Sequence, residues 1–319
     1  MTYVDVVKGG IMEINSEVYI SKSIKKYIGA DLISCKLLGK GANGSVYRAD
    51  ISAEPYVLAI KVTNYSEMLA NEVFALNYIN GRVDILLPKV FFSHIANDDI
   101  PINVLGMTYL YGVGGNKINW LFAGKKKREA FKRQVIDNLI KLRDVTNEKF
   151  GYVDNACFES WIDFYRPFAK ARLDYMSSLQ NKGNVALCVE ETLTRAYGIL
   201  DRVLNDCGKP TLTHGDYWLP NFVVDKKTKE FVGCVDPFNI MYADAEYELF
   251  ALMQFGYLRL YELYKKSVPT SKYCDLKSRM YALFSEVYWC EILGNSIDAL
   301  KYMKGMAKVL KIELDKAGM

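Results

Sequence analysis

The spacing of apolar residues along the first part of the chain predicts one leading helix followed by a group of short strands. Between Ser16 and Ile28 the apolar residues recur at helical spacing, with Ser16 placed to cap the helix and Gly29 placed to end it. From Leu32 to Val62 they fall instead in short β-prone runs, separated by a glycine cluster and a proline turn. This pattern predicts an antiparallel sheet.

A second helix and two more strands are predicted before the first cluster of hinge glycines. Ser66 to Ile79 carries its apolar residues on one helical face. Two β-prone runs follow, around Pro88 to His94 and from Ile102 to Tyr111, and they end at the glycines of residues 112–115. We therefore expect residues 1–111 to form a five-stranded antiparallel sheet with one helix packed on it.

The rest of the chain has mainly helical periodicity. The predicted helical segments are roughly Lys126–Asn147, Trp161–Gln180, Val189–Asp206, Ala245–Lys265 and Leu276–Lys316, the last with a break. The exception is Pro210 to Asp236, where two short β-prone runs flank polar turns. The fold class expected is α+β with two lobes: an N-terminal lobe, 1–111, and a C-terminal lobe, 112–319.

Composition excludes several kinds of site. The 319 residues include seven scattered cysteines without a CxxC pair, which is typical of reduced cytosolic thiols, and no signal peptide or long apolar segment is visible. The two histidines, His94 and His214, leave little material for a zinc site or a Ser-His-Asp triad. The basic run Lys125–Arg128 is interpreted as a solvated helix start. We expect a cytoplasmic enzyme with neither nucleic-acid nor membrane partners.

The candidate chemistry begins at a glycine-rich stretch that fits the pattern GxGxxGxV. A dinucleotide-binding loop must run into a helix, whereas here the following letters, SVYRADI, have the pattern of a second strand. This favours the kinase type of loop, whose backbone N–H groups approach nucleotide phosphates, over an ordinary glycine hairpin. The nucleotide-binding residues expected in it are Gly39, Gly41, Asn43, Gly44 and Ser45.

A lysine and a glutamate follow this loop in the order that kinases use. Lys61 ends the apolar run VLAIK, the position of the lysine that pairs with the α and β phosphates. Glu72 lies on the next predicted helix, where its carboxylate would hold that lysine in place. Each residue alone is unremarkable, but their order after a glycine loop points to nucleotide binding.

The most specific motif is the segment THGDYWLPN, which is followed by a pair of short strands. Asp216, Asn221 and Asp236 repeat the kinase order of an aspartate, an asparagine five residues later and an aspartate after the next strands. Phosphoryl transfer needs one carboxylate to orient the attacking hydroxyl and accept its proton, and an amide with a second carboxylate to hold Mg²⁺. We predict Asp216 as the catalytic residue and Asn221 and Asp236 as metal ligands. His214 is expected to be structural and hydrogen-bonded.

The HGDxxxxN form resembles the aminoglycoside phosphotransferase superfamily, which also contains choline kinases and fructosamine kinases, whereas protein kinases usually have HRD. The resemblance extends over nearly the whole chain and implies a protein-kinase-like fold with ATP and Mg²⁺. The stretch LGMTYLYG is similar to the family's hinge, which binds adenine through backbone groups. It implies Met107 as the gatekeeper and Thr108 and Leu110 as hinge contacts.

The predicted function is a kinase that transfers the γ-phosphate of ATP to a hydroxyl of a small molecule. Only a short segment separates Asp236 from the helix expected near Ala245, and no APE motif is present, so a peptide-docking platform is not expected. The acceptor would be a sugar, ketosamine, aminoglycoside or amino alcohol. A nucleotide-binding pseudokinase and an atypical protein kinase stay open as alternatives, as do the identity of the acceptor and the choice between ATP and GTP.

Overall fold

The computed structural model describes residues 16–41, 44–179, 183–205, 207–294 and 297–319. The helices within these ranges are α1 Ser16–Ile28, α2 Ser66–Asn80, α3 Lys125–Arg143, α4 Trp161–Ser178, α5 Asn184–Gly198, α6 Leu200–Leu204, α7 Leu249–Met253, α8 Leu260–Ser267, α9 Cys274–Leu293 and α10 Ile297–Lys316. The strands are β1 Leu32–Gly41, β2 Gly44–Ile51, β3 Val57–Thr63, β4 Val90–His94, β5 Asn103–Thr108, β6 Val113–Gly114, β7 Gly151–Tyr152, β8 Thr211–Leu212, β9 Phe222–Val224, β10 Phe231–Cys234 and β11 Met241–Ala243.

The described residues divide into two compact units. The sheet unit contains residues 16–142 and 214–239, and the helical unit contains residues 143–213 and 240–319. The HGD segment therefore groups with the N-terminal sheet, because its 26 residues pack beside α3 rather than among the later helices. The lobes predicted from the sequence, 1–111 and 112–319, are a different division of the chain and stay a prediction.

The sheet unit is built on a five-stranded antiparallel sheet of order β1-β2-β3-β5-β4, which confirms the predicted sheet. Alternating apolar residues of β2, β3 and β5 bury one face. Helix α2 packs on β4 and β5, and α1 packs on the sheet as well. Ile20 and Ile24, one turn apart on α1, are fully buried with the strands. The structure thus adds a second helix to the one that was expected on this sheet.

Helix α3 and the small sheet β6-β9-β10 complete the sheet unit. Phe131 of α3 stacks on Trp120 at 4.1 Å and contacts Phe222 and Phe231 of the two strands edge-on. The Tyr217 hydroxyl donates to a backbone carbonyl of α3 at 2.8 Å. These buried aromatic contacts fix the HGD segment against a long helix.

The helical unit surrounds the small sheet β7-β11-β8 with helices α4 to α10. Its core is continuous and rich in aromatic rings, with Trp161 donating a hydrogen bond to the Tyr281 hydroxyl at 2.8 Å. The helix expected over Ala245–Lys265 is instead α7 and α8, separated by a 3-10 turn and a left-handed Arg259. No helix among the described residues is long and apolar enough to cross a membrane.

A buried ion network explains why no helix begins at Ala245. Asp244 and Glu246 both bind Lys277 of α9, at 2.8 and 2.6 Å, and all three side chains are at most 6% exposed. Glu246 also accepts hydrogen bonds from the backbone and hydroxyl of Ser271, and Asp244 accepts one from the Tyr281 hydroxyl. Two carboxylates and one ammonium are held in the core because every one of them is paired.

Lys277→Met should lower the free energy of unfolding by about 3–5 kcal/mol, because it leaves two carboxylates buried without their cation. Denaturant unfolding, followed by far-UV circular dichroism, measures the loss. Lys266→Met, an exposed lysine of the neighbouring α8, is the matched control and should change stability by less than about 0.5 kcal/mol. Equal effects of the two substitutions would contradict a structural role for the network.

Candidate active site

The glycine-rich segment lies on two antiparallel strands, β1 and β2, and a strand rather than a helix follows it, as predicted for a kinase-type loop. Strands β1 and β2 run up to a pair formed by Gly41 and Gly44, and the predicted contact residue Asn43, between them, lies outside the described residues. Gly44 has a φ of +141°, and a Cβ there would lie 2.1 Å from the carbonyl oxygen of Val62 on β3. Only glycine therefore allows β2 to start so close to β3.

The two earlier glycines of the loop, Gly39 and Gly41, have open space beside their backbone. A Cβ added at Gly39 or at Gly41 would meet no described atom within 4 Å. Ser45 pairs with Lys40 on β1 and with Val62 on β3, and it is buried. Open space beside two glycines is what the approach of a large anionic ligand to the backbone requires.

Lys61, Glu72 and Asp236 meet in one cluster within the sheet unit. The Lys61 ammonium on β3 lies 2.6 Å from Glu72 of α2 and 2.7 Å from Asp236, which follows β10. The Lys61 and Glu72 side chains are 12% and 9% exposed, whereas Asp236 is 45% exposed. The structure thus joins the lysine to Glu72, its expected partner, and also to Asp236, which was predicted as a metal ligand and is still open to solvent.

The opposite charges of Lys61 and Asp236 keep both groups ionised. Burial would lower the pKa of Lys61, but the carboxylates of Asp236 and Glu72 outweigh it and raise that pKa above its ordinary value. Burial would raise the pKa of Asp236, and the Lys61 ammonium outweighs it, so this pKa lies below its ordinary value. Asp236 also has a left-handed backbone, with a φ of 57°. Aspartate adopts this backbone region more readily than most residues.

Asp216 and Asn221 are joined by a direct hydrogen bond. The Asn221 Nδ2 donates to Asp216 Oδ2 at 2.7 Å and to the Asp216 backbone carbonyl at 3.1 Å. A 3-10 turn at Leu219–Asn221 brings the two side chains together, and the Asn221 carbonyl then accepts from the Val235 amide at 3.0 Å. Because the amide nitrogen is used inside the loop, the amide oxygen is the end left for a cation.

Burial raises the pKa of Asp216 to about 6, although the hydrogen bond from Asn221 opposes the shift. His214, two residues earlier, is fully buried, and burial lowers its pKa to about 4. Among the described residues neither of its ring nitrogens has a hydrogen-bond partner, so the hydrogen bonds expected for it are not observed. Its ring instead packs edge-on against Tyr217.

Gly215 is the loop residue whose role the sequence analysis did not assign. Its φ is +82°, and a Cβ there would lie 1.6 Å from the carbonyl oxygen of Phe238. The Phe238 amide in turn donates to the His214 carbonyl at 3.0 Å. The loop that carries Asp216 is therefore pressed against the segment that carries Asp236. The signal in the sequence was the glycine between two polar residues of the motif.

The hinge residues lie at and beyond the end of β5. Met107, predicted as the gatekeeper, is buried on β5 between β3 and β4. The Thr108 amide donates to the Lys89 carbonyl at 2.9 Å, so that N–H is used by the protein itself. Leu110 follows the strand, and within the described ranges no backbone hydrogen bond uses it. Leu110 is therefore the better placed of the two predicted hinge contacts.

With these side chains placed, the family can be compared. The model of the phosphotransferase enzyme family (APH) matches residues 34–261, which include every candidate site residue. The chain belongs to the phosphotransferase enzyme family. Membership confirms the resemblance to aminoglycoside phosphotransferases and the predicted enzyme class, a small-molecule phosphotransferase. Among curated proteins, none matches the chain.

Solved structures confirm the protein-kinase-like fold. A thermostable mutant of aminoglycoside phosphotransferase APH(4)-Ia, in a ternary complex with ADP and hygromycin B, aligns with a TM-score of 0.71 and 13% identity over 92% of this chain and 98% of that one. A candidate fructosamine-3-kinase from Haemophilus somnus 129PT aligns with a TM-score of 0.66 and 15% identity over 91% and 96%. The gentamicin complex of APH(2")-IIa aligns with a TM-score of 0.60 and 13% identity over 93% and 97%.

Gly215→Ala should displace the catalytic loop and abolish most of the phosphotransfer activity, because the new methyl group would collide with the Phe238 carbonyl. Gly208→Ala is the matched control: its φ is +67°, but a Cβ there meets no described atom within 4 Å. The control should lose only about 1 kcal/mol of stability and keep its activity. Initial rates and thermal unfolding of both variants distinguish the collision with Phe238 from the strain of a positive φ. Equal loss of activity in both variants would contradict the collision.

Proposed function

We propose that this phosphotransferase transfers the γ-phosphate of ATP, with Mg²⁺, to a hydroxyl group of a small molecule. The observation that carries the proposal is the placement of Lys61 between Glu72 and Asp236, next to a loop in which Asn221 binds Asp216. These are the residue types, in the order, that phosphoryl transfer uses for phosphate contact, metal binding and orientation of the acceptor.

The charges of the site support a divalent cation. One ammonium, that of Lys61, lies among the carboxylates of Asp236, Asp216 and Glu72, and burial raises the pKa of Glu72 to about 7. The cluster is therefore negative overall even where Glu72 is partly protonated. A nucleotide polyphosphate would be repelled unless a cation came with it. Bound Mg²⁺ neutralises charge on the phosphates. Asn221 and Asp236 offer the hard oxygen donors that Mg²⁺ prefers, and such sites usually add water and phosphate oxygens.

No set of three or more His, Cys, Asp or Glu side chains able to hold a metal ion is present in the ranges that the structure describes. This fits a cation that arrives with its nucleotide better than a metal bound by the protein alone. Lys61 would bind the α and β phosphates, and the open edge beside Gly39 and Gly41 would admit them.

Asp216 would act on the acceptor. Its carboxylate accepts the proton of the attacking hydroxyl while the hydroxyl oxygen bonds to the γ-phosphorus and the bond from that phosphorus to the leaving ADP oxygen breaks. The hydrogen bond from Asn221 fixes the rotamer of the carboxylate, so its second oxygen keeps a defined direction. A pKa of about 6 leaves Asp216 ionised at neutral pH.

The acceptor class is proposed from the solved structures that this chain resembles. They include complexes with hygromycin B and with gentamicin and a candidate fructosamine-3-kinase, and all three names denote hydroxyl-bearing sugars or sugar amines. A sugar, ketosamine, aminoglycoside or amino alcohol therefore comes first in an ATP-consumption screen, with GTP as a second donor. Nucleotide binding without turnover on any of these would favour the pseudokinase, and labelling of protein substrates would favour an atypical protein kinase.

Asp216→Asn should keep ATP affinity within a few-fold and lose at least about a hundredfold in acceptor phosphorylation, because the amide cannot accept the proton. Calorimetry gives the affinity and mass spectrometry the product. Asp236→Asn is the comparison variant, and it should lose Mg²⁺-dependent nucleotide binding as well as activity. Loss of ATP binding in the Asp216 variant would make Asp216 a metal ligand or a structural residue.

The acidic limb of the pH profile should report Asp216. Because burial raises the pKa of this carboxyl to about 6, lowering the pH below that value protonates the base and should reduce kcat/KM for the acceptor, with a limiting slope of about tenfold per pH unit. Rates measured from pH 5 to 8, with nucleotide binding followed in parallel, test this expectation. A limb that persists unchanged in the residual activity of Asp216→Asn would belong to another group.

A further inference from the structure

A short turn before α3 carries two protruding apolar side chains. Leu121 and Phe122 are 76% and 85% exposed, more than any other large hydrophobic side chain among the described residues. They are adjacent, so their exposed surfaces form one apolar protrusion. Exposed bulky side chains grouped in this way usually mark a contact surface, whereas scattered single ones do not.

The protrusion is held rigidly by its neighbours. Trp120 is 1% exposed, stacks on Phe131 and donates from Nε1 to the Gly115 carbonyl at 2.8 Å. Ala123, on the other side, is buried, and its amide donates to the Trp120 carbonyl at 3.4 Å. Arg128 donates to the same carbonyl at 3.3 Å. Because both flanking residues are buried, the fold itself directs the two apolar side chains outward.

Exposed lysines surround the protrusion. Helix α3 begins with Lys125, Lys126 and Lys127, and its first turn contains no acidic residue. Positive charges at this end of a helix oppose the helix dipole, so helix stability does not account for them. Lys127 donates to the Lys227 carbonyl at 2.9 Å, which brings the β9-β10 turn, with the exposed Lys226 and Lys227, to the same surface.

The acidic groups nearby, Glu129, Asp225 and Glu230, are fewer than the exposed lysines and leave this surface positively charged. Both oxygens of Glu129 bind Lys132, at 3.0 and 2.9 Å. Asp225 accepts hydrogen bonds at 2.7 Å from two backbone amides of its own turn. Glu230 is the remaining exposed carboxylate of the β9-β10 turn. Five exposed lysines, Lys125, Lys126, Lys127, Lys226 and Lys227, therefore accompany the apolar pair.

We propose that this surface, Leu121 and Phe122 with the five lysines, docks the protein onto an anionic lipid bilayer. The apolar pair would enter the boundary between headgroups and acyl chains, and the lysines would contact lipid phosphates and carboxylates. A protein partner fits less well, because the cores of protein interfaces are depleted in lysine. The basic run, interpreted from the sequence as a solvated helix start without a membrane partner, acquires a role through the apolar pair that the fold places beside it.

The test uses the full chain and sedimentation with lipid vesicles. The chain should bind vesicles of phosphatidylcholine with about one third phosphatidylserine, and binding to phosphatidylcholine alone should be at least about tenfold weaker. Leu121→Ser combined with Phe122→Ser should reduce binding at least about tenfold, because the two side chains that would be buried in the bilayer are no longer apolar. Replacing Lys125, Lys126 and Lys127 with Gln should also reduce it at least about tenfold and flatten its salt dependence.

Matched controls are available elsewhere on the surface. Tyr257→Ser removes an aromatic side chain that is 56% exposed, and Lys25→Gln with Lys26→Gln removes two exposed lysines of α1. Neither control should change vesicle binding, and thermal unfolding verifies that every variant is folded. Because binding is read without phosphotransfer, failure of the proposed kinase activity would leave this test intact.

Three results would overturn the proposal. The first is no binding to anionic vesicles even at low salt. The second is binding that the lysine variant loses and the Leu121 and Phe122 variant keeps, which would mean simple electrostatic adsorption. The third is a dimer in light scattering that the apolar double variant converts to monomer, with no vesicle binding, which would assign the surface to a second copy of the chain.

Discussion

The sheet unit depends on one buried ammonium group. Lys61 lies in the middle strand of the five-stranded sheet, and its two ion pairs connect that strand to α2 through Glu72 and to the end of β10 through Asp236. A lysine in such a position is costly unless its carboxylates are present. The same requirement that makes the cluster stable therefore fixes the distance between the sheet, the helix and the segment after the HGD loop. The spacing of these candidate site residues therefore follows from the need to pair the buried charge of Lys61.

Sequence patterns were sufficient wherever the information is local. The hairpin of β1 and β2 was predicted because glycines were followed by a strand pattern, and the placement of Asp216 and Asn221 on one loop followed from their spacing. Patterns were insufficient where a distant residue decides the outcome. The helix expected at Ala245 begins later because Asp244 and Glu246 bind Lys277, some thirty residues on. The packing of α1 on the sheet likewise depends on contacts with the strands, which the periodicity of α1 alone does not predict.

The site follows the same division between local and distant information. The types of residue expected in it could be predicted, because phosphoryl transfer restricts them strongly. Their pKa values and hydrogen bonds could not. Burial raises the pKa of Asp216. The ring of His214 packs against Tyr217, and its nitrogens have no hydrogen-bond partner among the described residues. The protrusion formed by Leu121 and Phe122 belongs to this second category as well. In the sequence these two residues resemble any apolar pair before a helix, and only the burial of Trp120 and Ala123 on either side turns them outward.

The amide of Asn221 couples the two chemical halves of the site. Its nitrogen is bound to Asp216, and its oxygen is the end that remains for a cation. Since the group is planar, a cation that holds the oxygen also restricts rotation of the nitrogen. With the roles proposed for these two residues, a cation on the amide oxygen would narrow the orientations open to the Asp216 carboxylate. One planar side chain would thus link nucleotide loading to the orientation of the base.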